Sequence, residues 1–246
     1  MKLEGKRILI LGATSGIAQE FGRQLAERKC RLFLVARNEE RLNAVESDLR
    51  ARGAETACLA GDLTDTAKHA EVLERAWTAF GGIDLAFVAY GVFAECDAAE
   101  EPETLLRLLE TNFVSAAHLT SLLAKKLRET GGKVAVITSV AGDRGRKRNY
   151  VYGSAKAGLS TFLQGLDHKH AGNGLRIVDI KLGMADTPMT AHLPASPLKV
   201  SARQAVDSIV AGLERDQTVI YAPRMWRWIM LAVRAIPRPL MNRLNF

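Results

Sequence analysis

Three cysteines in 246 residues, Cys30, Cys58 and Cys96, are too few and too scattered for a disulfide framework, and no C-x-x-C pair offers a zinc site. No metal is expected, and a reducing cytosol suits free thiols. The chain also lacks any stretch of about 18 uncharged apolar residues that would span a bilayer. Its start, "MKLEGKRILILGATSG", has only a short apolar run ending in a glycine turn, so no signal peptide is expected. Internal repeats and low-complexity linkers are missing too, which leaves one domain. Acid is in deficit: 34 Lys and Arg against 27 Asp and Glu give a formal charge of +7. Such a balance invites an anionic partner, and the placement of the charge has to say which.

What is present is a rhythm. Short apolar runs, "KRILILG", "RLFLVAR", "ETACLAG", "IDLAFVAYG", "KVAVITS", "LRIVDIKLG" and "TVIYAP", alternate with helix-length segments. Strands that are apolar almost throughout, rather than every second residue, predict a sheet covered on both faces. The expected fold is α/β: a single-domain, doubly wound Rossmann fold with a mostly parallel seven-stranded sheet and helices on both faces. It spans residues 1–222 and is followed by a basic amphipathic tail, 223–246. Leu105, Leu108, Phe113, Leu119 and Leu123 recur at three- and four-residue steps, which predicts helix over 102–128, with further helices over 153–170 and 201–214. Thr64 or Asp65 is the expected cap of the segment running to Phe80, and Ser201 that of the 201–214 helix.

Directly after the first strand comes "GATSGIA". Gly12, Thr14, Ser15, Gly16 and Ile17 form a turn into a helix, where a diphosphate can approach the backbone and meet unpaired N–H groups. A dinucleotide fold with NAD specificity usually places an acid about 20 residues on, at the end of the second strand. Here stand Ala36 and Arg37. A guanidinium in place of a carboxylate suits a 2′-phosphate and predicts NADP(H).

The stretch "DRGRKRNYVYGSAKAG" holds two tyrosines and one lysine. Tyr152 and Lys156 are four apart, on one face of a helix, whereas Tyr150 has Ser154 at that offset. Acid–base work near neutrality asks for a tyrosine pKa about 2 to 3 below its usual value of about 10. An ammonium about 4 to 5 Å away, at an effective dielectric near 20, supplies roughly that much, so Lys156 is expected to acidify Tyr152. Ser139 ends the strand "KVAVITS" at the carboxyl edge of the sheet and can orient a carbonyl beside Tyr152.

From about residue 5 to 222 the chain resembles the short-chain dehydrogenase/reductase family. "LGATSGIA" approximates T-G-x-x-x-G-x-G, departing at Leu11 and Ala18, and Tyr152 and Lys156 meet Y-x-x-x-K, with Ser139 13 residues before the tyrosine. The resemblance implies that Asn112 holds a proton-relay water and that Lys156 also holds the nicotinamide ribose. It further implies an adenine contact at Asp62, flanked by Leu63, and nicotinamide contacts at Gly183 and Thr187; an N-cap role for Asp62 competes. The family's N-A-G is "AYG" here, keeping Gly91 but putting Ala89 where an asparagine would brace the sheet. Leu182 replaces the usual proline. A homodimer or homotetramer is also implied.

Arg144, Arg146, Lys147 and Arg148 lie between Ser139 and Tyr152, so they suit either a phosphate-bearing substrate or a solvated loop. In the tail, Trp226, Trp228, Ile229, Met230 and Leu231 are interleaved with Arg224, Arg227, Arg234, Arg238 and Arg243. Such a segment fits peripheral contact at the inner face of a membrane, the entrance for a long apolar substrate, or a partner subunit. Loop and tail together look most like reductases of decaprenylphosphoryl-2-keto-pentose, which implies a lipid-linked keto-sugar substrate. A fatty or steroid-like carbonyl is the alternative, and a non-catalytic NADPH sensor the least favoured reading. Nucleic acid is not an expected partner, because the basic residues cluster by the pocket and tail rather than along a stripe with aromatic platforms.

Overall fold

The computed structural model describes residues 1–191 and 196–244 and, within them, all but the side chain of Cys96. The last two residues of the 223–246 tail therefore lie outside the described part. In chain order the strands are β1 (Arg7–Leu11), β2 (Arg31–Ala36), β3 (Glu55–Ala60), β4 (Leu85–Val88), β5 (Gly132–Ile137), β6 (Leu175–Leu182), β7 (Ala185–Asp186), β8 (Val200–Ser201) and β9 (Val219–Ala222). The helices are α1 (Gly16–Ala26), α2 (Glu39–Ala51), α3 (His69–Phe80), α4 (Cys96–Glu100), α5 (Pro102–Leu109), α6 (Ala116–Leu127), α7 (Tyr150–Lys169), α8 (Ala202–Glu214), α9 (Trp226–Ala235) and α10 (Arg238–Met241).

Seven strands pair in parallel in the order β3-β2-β1-β4-β5-β6-β9, and β7 with β8 forms a small separate pair. The order reverses between β1 and β4, and a crevice opens there at the carboxyl ends of the strands. Alternate residues of the strands feed two cores. Ile8, Ile10, Leu32 and Leu34 pack with Phe21, Leu25, Leu49 and Ile209 on one side of the sheet. Leu9, Leu11, Phe33 and Val35 pack with Val72, Leu119, Leu123 and Leu159 on the other. Burial of both faces is why the strands read as unbroken apolar runs.

Three local expectations need adjusting. The 102–128 helix is interrupted: between α5 and α6 residues Glu110–Ser115 form a π-helical turn centred on Asn112. α7 starts at Tyr150, earlier than expected, and so carries both tyrosines. Thr64 does not cap the segment running to Phe80 and donates to Asp62 instead; Asp65 stands at the N-cap position of the short 3₁₀ turn Thr66–Lys68 that opens it, but makes no capping bond and pairs with Lys68 at 3.2 Å. The Ser201 cap is present, reinforced by Gln204 in a reciprocal capping box.

The tail is folded onto the catalytic edge of the sheet. Trp226 and Met230 of α9 are buried against Val140, with Met184, Leu198 and Tyr221 packed around them. Its other side is bare, with Trp228 68% and Leu231 60% exposed. Among the described residues no helix is long and apolar enough to cross a membrane.

Candidate active site

The nucleotide end is built from backbone. Gly12 has φ +86°, and a Cβ there would lie 2.7–2.9 Å from the Cβ, N and Cα of Tyr90, so only glycine lets the β1 turn sit against the end of β4. Ser15 caps α1 by accepting from the Ala18 amide. The first-turn amides of Gly16 and Ile17 are left without an intrahelical acceptor, as the start of any helix requires. Arg37 stands exposed at the end of β2, and Arg41 joins it from the first turn of α2. Arg41 was not singled out in the sequence, although the Asn38 cap, which accepts from the Arg41 amide at 2.7 Å, is a signal that places residue 41 beside the crevice.

Across the crevice Asp62 accepts from both the amide and the hydroxyl of Thr64 at 2.9 Å. Burial works against its charge, yet those two donors and Arg37 hold its carboxyl below the usual range. Asp62 thus caps a turn rather than a helix while facing the crevice. Leu63 is fixed from behind: its carbonyl accepts from Ser115 and approaches His69 Nε2 at 2.8 Å. Ser115 in turn accepts from the Tyr90 hydroxyl at 2.7 Å. The tyrosine of "AYG" thereby ties β4 to this loop, next to the position where Ala89 has no side-chain bond to give.

At the inner end three elements converge. Ser139 leaves β5 and caps a short turn, accepting from the Ala141 amide at 3.1 Å, while its hydroxyl lies 3.3 Å from the Leu182 carbonyl. The turn packs against α7 so closely that a Cβ on Gly153 would lie 2.8 Å from the Ala141 carbonyl. Ser139 consequently stands beside Tyr152, close enough for its hydroxyl to favour the ionised phenol. The Tyr152 ring meets Phe93 edge-on, with centroids 5.3 Å apart. Tyr150 faces away, 41% exposed, and donates to Glu100 at 2.8 Å.

Lys156 is 3% exposed; its Nζ donates to the Ile137 carbonyl at 3.0 Å and lies 5.9 Å from the Tyr152 ring centroid. Here the expected acidification of the phenol fails. Burial pushes Tyr152 up to about 12, with only the Ser139 hydroxyl pulling it back. Burial also pushes Lys156 down to about 8, against the pull of Asp179. An ammonium bound to a backbone carbonyl at that distance does not outweigh the desolvation of the phenol.

Asn112 is fully buried and staples the π turn to the strand end: its Oδ1 accepts from the Val92 amide, and its Nδ2 donates to the carbonyls of Val92 and Leu108. Gly91 is required beside it, since a Cβ there would lie 2.6 Å from Asn112 Oδ1. Thr187 caps the turn Pro188–Thr190 and lines the crevice, together with the unanticipated Tyr90, Val92, Thr111 and Met189. Gly183 does not line it; the Trp226 indole packs over Gly183 instead, leaving no room for a Cβ. The two ends together form a crevice of about 280 Å³ that runs from Arg37 and Arg41 to Tyr152 and Lys156.

None of the substrate arginines lines that crevice. Arg144 is spent on the tail, donating to the carbonyls of Ile236 at 2.9 Å and Arg234 at 3.5 Å. Arg146 keeps a buried Nε with no partner, and Arg148 is exposed.

A glycine turn, a Ser-Tyr-Lys set with Ser139 and Lys156 buried and Tyr152 half-buried, and a crevice at the strand-order switch define a dinucleotide-binding α/β oxidoreductase site. Residues 6–197 match the short chain dehydrogenase family. An uncharacterized oxidoreductase of Streptomyces coelicolor is 34% identical over 97% of this chain and 96% of its own. Another, from Mycobacterium tuberculosis, is 32% identical over 96% of both chains. Among solved structures, a short-chain dehydrogenase from Sphingobium yanoikuyae in complex with NADPH is 25% identical, with a TM-score of 0.81 over 97% of this chain and 96% of that one. One from Burkholderia cenocepacia in complex with NADP shares the fold at TM-score 0.84 and 22% identity, both chains being covered completely. A Burkholderia phymatum relative in complex with NAD scores 0.85 at 18% identity, again over both whole chains. The chain belongs to the short-chain dehydrogenase/reductase family of oxidoreductases.

Proposed function

We propose that this protein is an NADP(H)-dependent carbonyl reductase, in which Tyr152 protonates the oxygen of a ketone as hydride arrives from the nucleotide. The observation that carries the reading is the placement of Tyr152 and Lys156 at one end of a crevice whose other end presents Arg37 and Arg41, with Ser139 behind its lining on the turn packed against α7. The nucleotide fits the residues present. The Gly12 turn lines the crevice, the start of α1 offers free amides, and Arg37 stands at the end of β2 where NAD-specific folds place an acid, with Arg41 beside it. Bound NADPH supplies the hydride.

The chain's own residues do the rest. Ser139 orients the carbonyl oxygen, and Tyr152, which keeps its proton at neutral pH, donates it to the oxygen as negative charge develops there. A phenol held at about 12 serves reduction better than oxidation, because only the oxidative direction needs the phenolate at the start. Lys156 holds the ribose and steadies the phenol's surroundings, and Asn112 fixes the Val92 backbone beside the reacting centre. Tyr152→Phe is expected to lower turnover by about 10²- to 10⁴-fold with NADPH binding intact, whereas Tyr150→Phe stays within about threefold. Comparable losses from both would refute these roles.

The finer reading is a lipid-linked, phosphate-bearing keto-sugar. It draws support from the unpartnered Nε of Arg146 and from the bare side of α9, where Trp228 and Leu231 sit among arginines. The same side suits peripheral contact with an anionic bilayer. A fatty or steroid-like ketone is favoured instead by Arg144, which is occupied by tail carbonyls. Comparing phosphorylated and unphosphorylated ketones of equal chain length separates the two. A homodimer or homotetramer is also proposed, with the exposed Leu106 and Val114 available to a second copy and light scattering as the check.

A further inference from the structure

Beneath the catalytic set lies a group of buried charges that the proposed reaction does not use. Asp179 and Lys181 are two apart on β6 and so share a face, in a strand whose one other charged residue, Arg176, is exposed near its start. Both carboxylate oxygens of Asp179 are engaged: Oδ1 accepts from the Thr138 hydroxyl, and Oδ2 accepts from the Ser160 hydroxyl at 2.6 Å. Lys181 Nζ donates to Ser160 at 3.0 Å and to Asp143 at 2.6 Å, and lies 3.5 Å from Asp179. The second oxygen of Asp143 accepts from the Tyr221 hydroxyl at 2.8 Å.

The partners of this network are the neighbours of the active site in the chain. Thr138 precedes Ser139, Asp143 ends the turn that Ser139 caps, and Ser160 is one helical turn beyond Lys156. Among the buried groups, with Arg234 of α9 reaching Tyr221 from the exposed side, the charges balance when Lys156 is included. Asp143 and Asp179 carry two negative charges and Lys181 one positive, so the network alone is one positive charge short. Lys156, buried with a carbonyl as its hydrogen-bond acceptor, is one negative charge short. A buried ammonium without a counter-charge would shed its proton.

We propose that Asp179 is the counter-charge of Lys156, and that the chain Thr138–Asp179–Ser160–Lys181–Asp143 positions the serine and the lysine from beneath. Asp179 touches no reacting atom and acts through Lys156. Its negative charge opposes the fall that burial imposes on the lysine. The groups that act on Lys156 are Tyr152 on α7 and Asp179 on β6, with the neutral Asn112 of the π turn nearby; behind Asp179 the network carries Lys181 on β6, Asp143 after β5 and Tyr221 on β9, which Arg234 of α9 approaches. The inference rests on the proposed reductase only for the use made of Lys156, and its test needs no turnover.

The full chain labelled with ¹³C at lysine ε-carbons is titrated by NMR, with the Lys156 signal assigned through its loss in Lys156→Arg. The wild-type midpoint is expected at about 8. A wild-type midpoint below about 6, typical of an ammonium buried without compensation, overturns the proposal without any variant. Asp179→Asn, of equal size, should lower the midpoint by about 1 pH unit, and Lys181→Gln should raise it by a similar amount. Ser160→Ala changes no charge and should leave it in place. An unmoved midpoint in Asp179→Asn overturns the proposal, as does a fall in Lys181→Gln, and each decides alone if the other variant fails to fold. A shift in Ser160→Ala as large as that in Asp179→Asn would mark a merely structural role and overturn it too. If the midpoints move as stated but the alkaline limb of ketone reduction does not follow, the charge assignment stands and the role of Lys156 in the proposed reaction falls.

Discussion

The two ends of the crevice use charge in opposite ways. At the nucleotide end Arg37 and Arg41 are exposed, and recognition there is a matter of position: permanent cations where a phosphate would lie. At the catalytic end Tyr152 and Lys156 are desolvated, and burial pushes them in opposite directions, the phenol up to about 12 and the ammonium down to about 8. Exposed charges act by where they stand, whereas buried ones are tuned by their neighbours.

The contrast breaks most visibly at the arginines. Replacing both Arg37 and Arg41 with alanine should weaken NADPH by about 10- to 100-fold while changing NADH little, as expected for losing charge-assisted bonds to one phosphate. Equal weakening of both nucleotides, read by fluorescence titration, would remove the distinction. Added salt should narrow the preference in the wild type, because the cations are open to solvent.

A pH profile sharpens the catalytic side. With Tyr152 pushed up to about 12 and Lys156 down to about 8, Lys156 is the member of the pair that loses its proton over the working range. kcat/KM for reduction should therefore be level below about 8 and fall up to about tenfold per pH unit above it. A limb that rises with pH would mean that the phenolate is the working form. The smallest effect tests the wall behind the site. Gly183→Ala must displace the Trp226 indole, which should cost roughly 1–3 kcal/mol and lower Tm by roughly 2–12 °C. An unchanged Tm would show that the α9 packing is loose.

Much of this was legible in the residues. Two-faced burial wrote the parallel sheet into apolar strands, the i, i+4 spacing assigned Lys156 to Tyr152 rather than to Tyr150, and the Gly12 turn fell where the chain needs a positive φ. What escaped depends on contacts distant in sequence. Helical periodicity carries no sign of a π turn, since the Asn112 amide earns its place by binding Val92, 20 residues back. The basic loop stayed open between substrate and solvent because nothing local shows Arg144 reaching the carbonyl of Ile236. The sign of the tyrosine shift was missed because pairwise attraction can be estimated from spacing and desolvation cannot.

Transfer of label from 4-deuterated NADPH to a ketone tests the central claim most directly. With a long-chain aliphatic and an aromatic ketone as probes, the wild-type chain should place deuterium at the carbinol carbon, whereas Tyr152→Phe should bind the nucleotide with the same affinity and transfer almost none. Equal transfer by both chains, or no nucleotide uptake by either, would contradict the account.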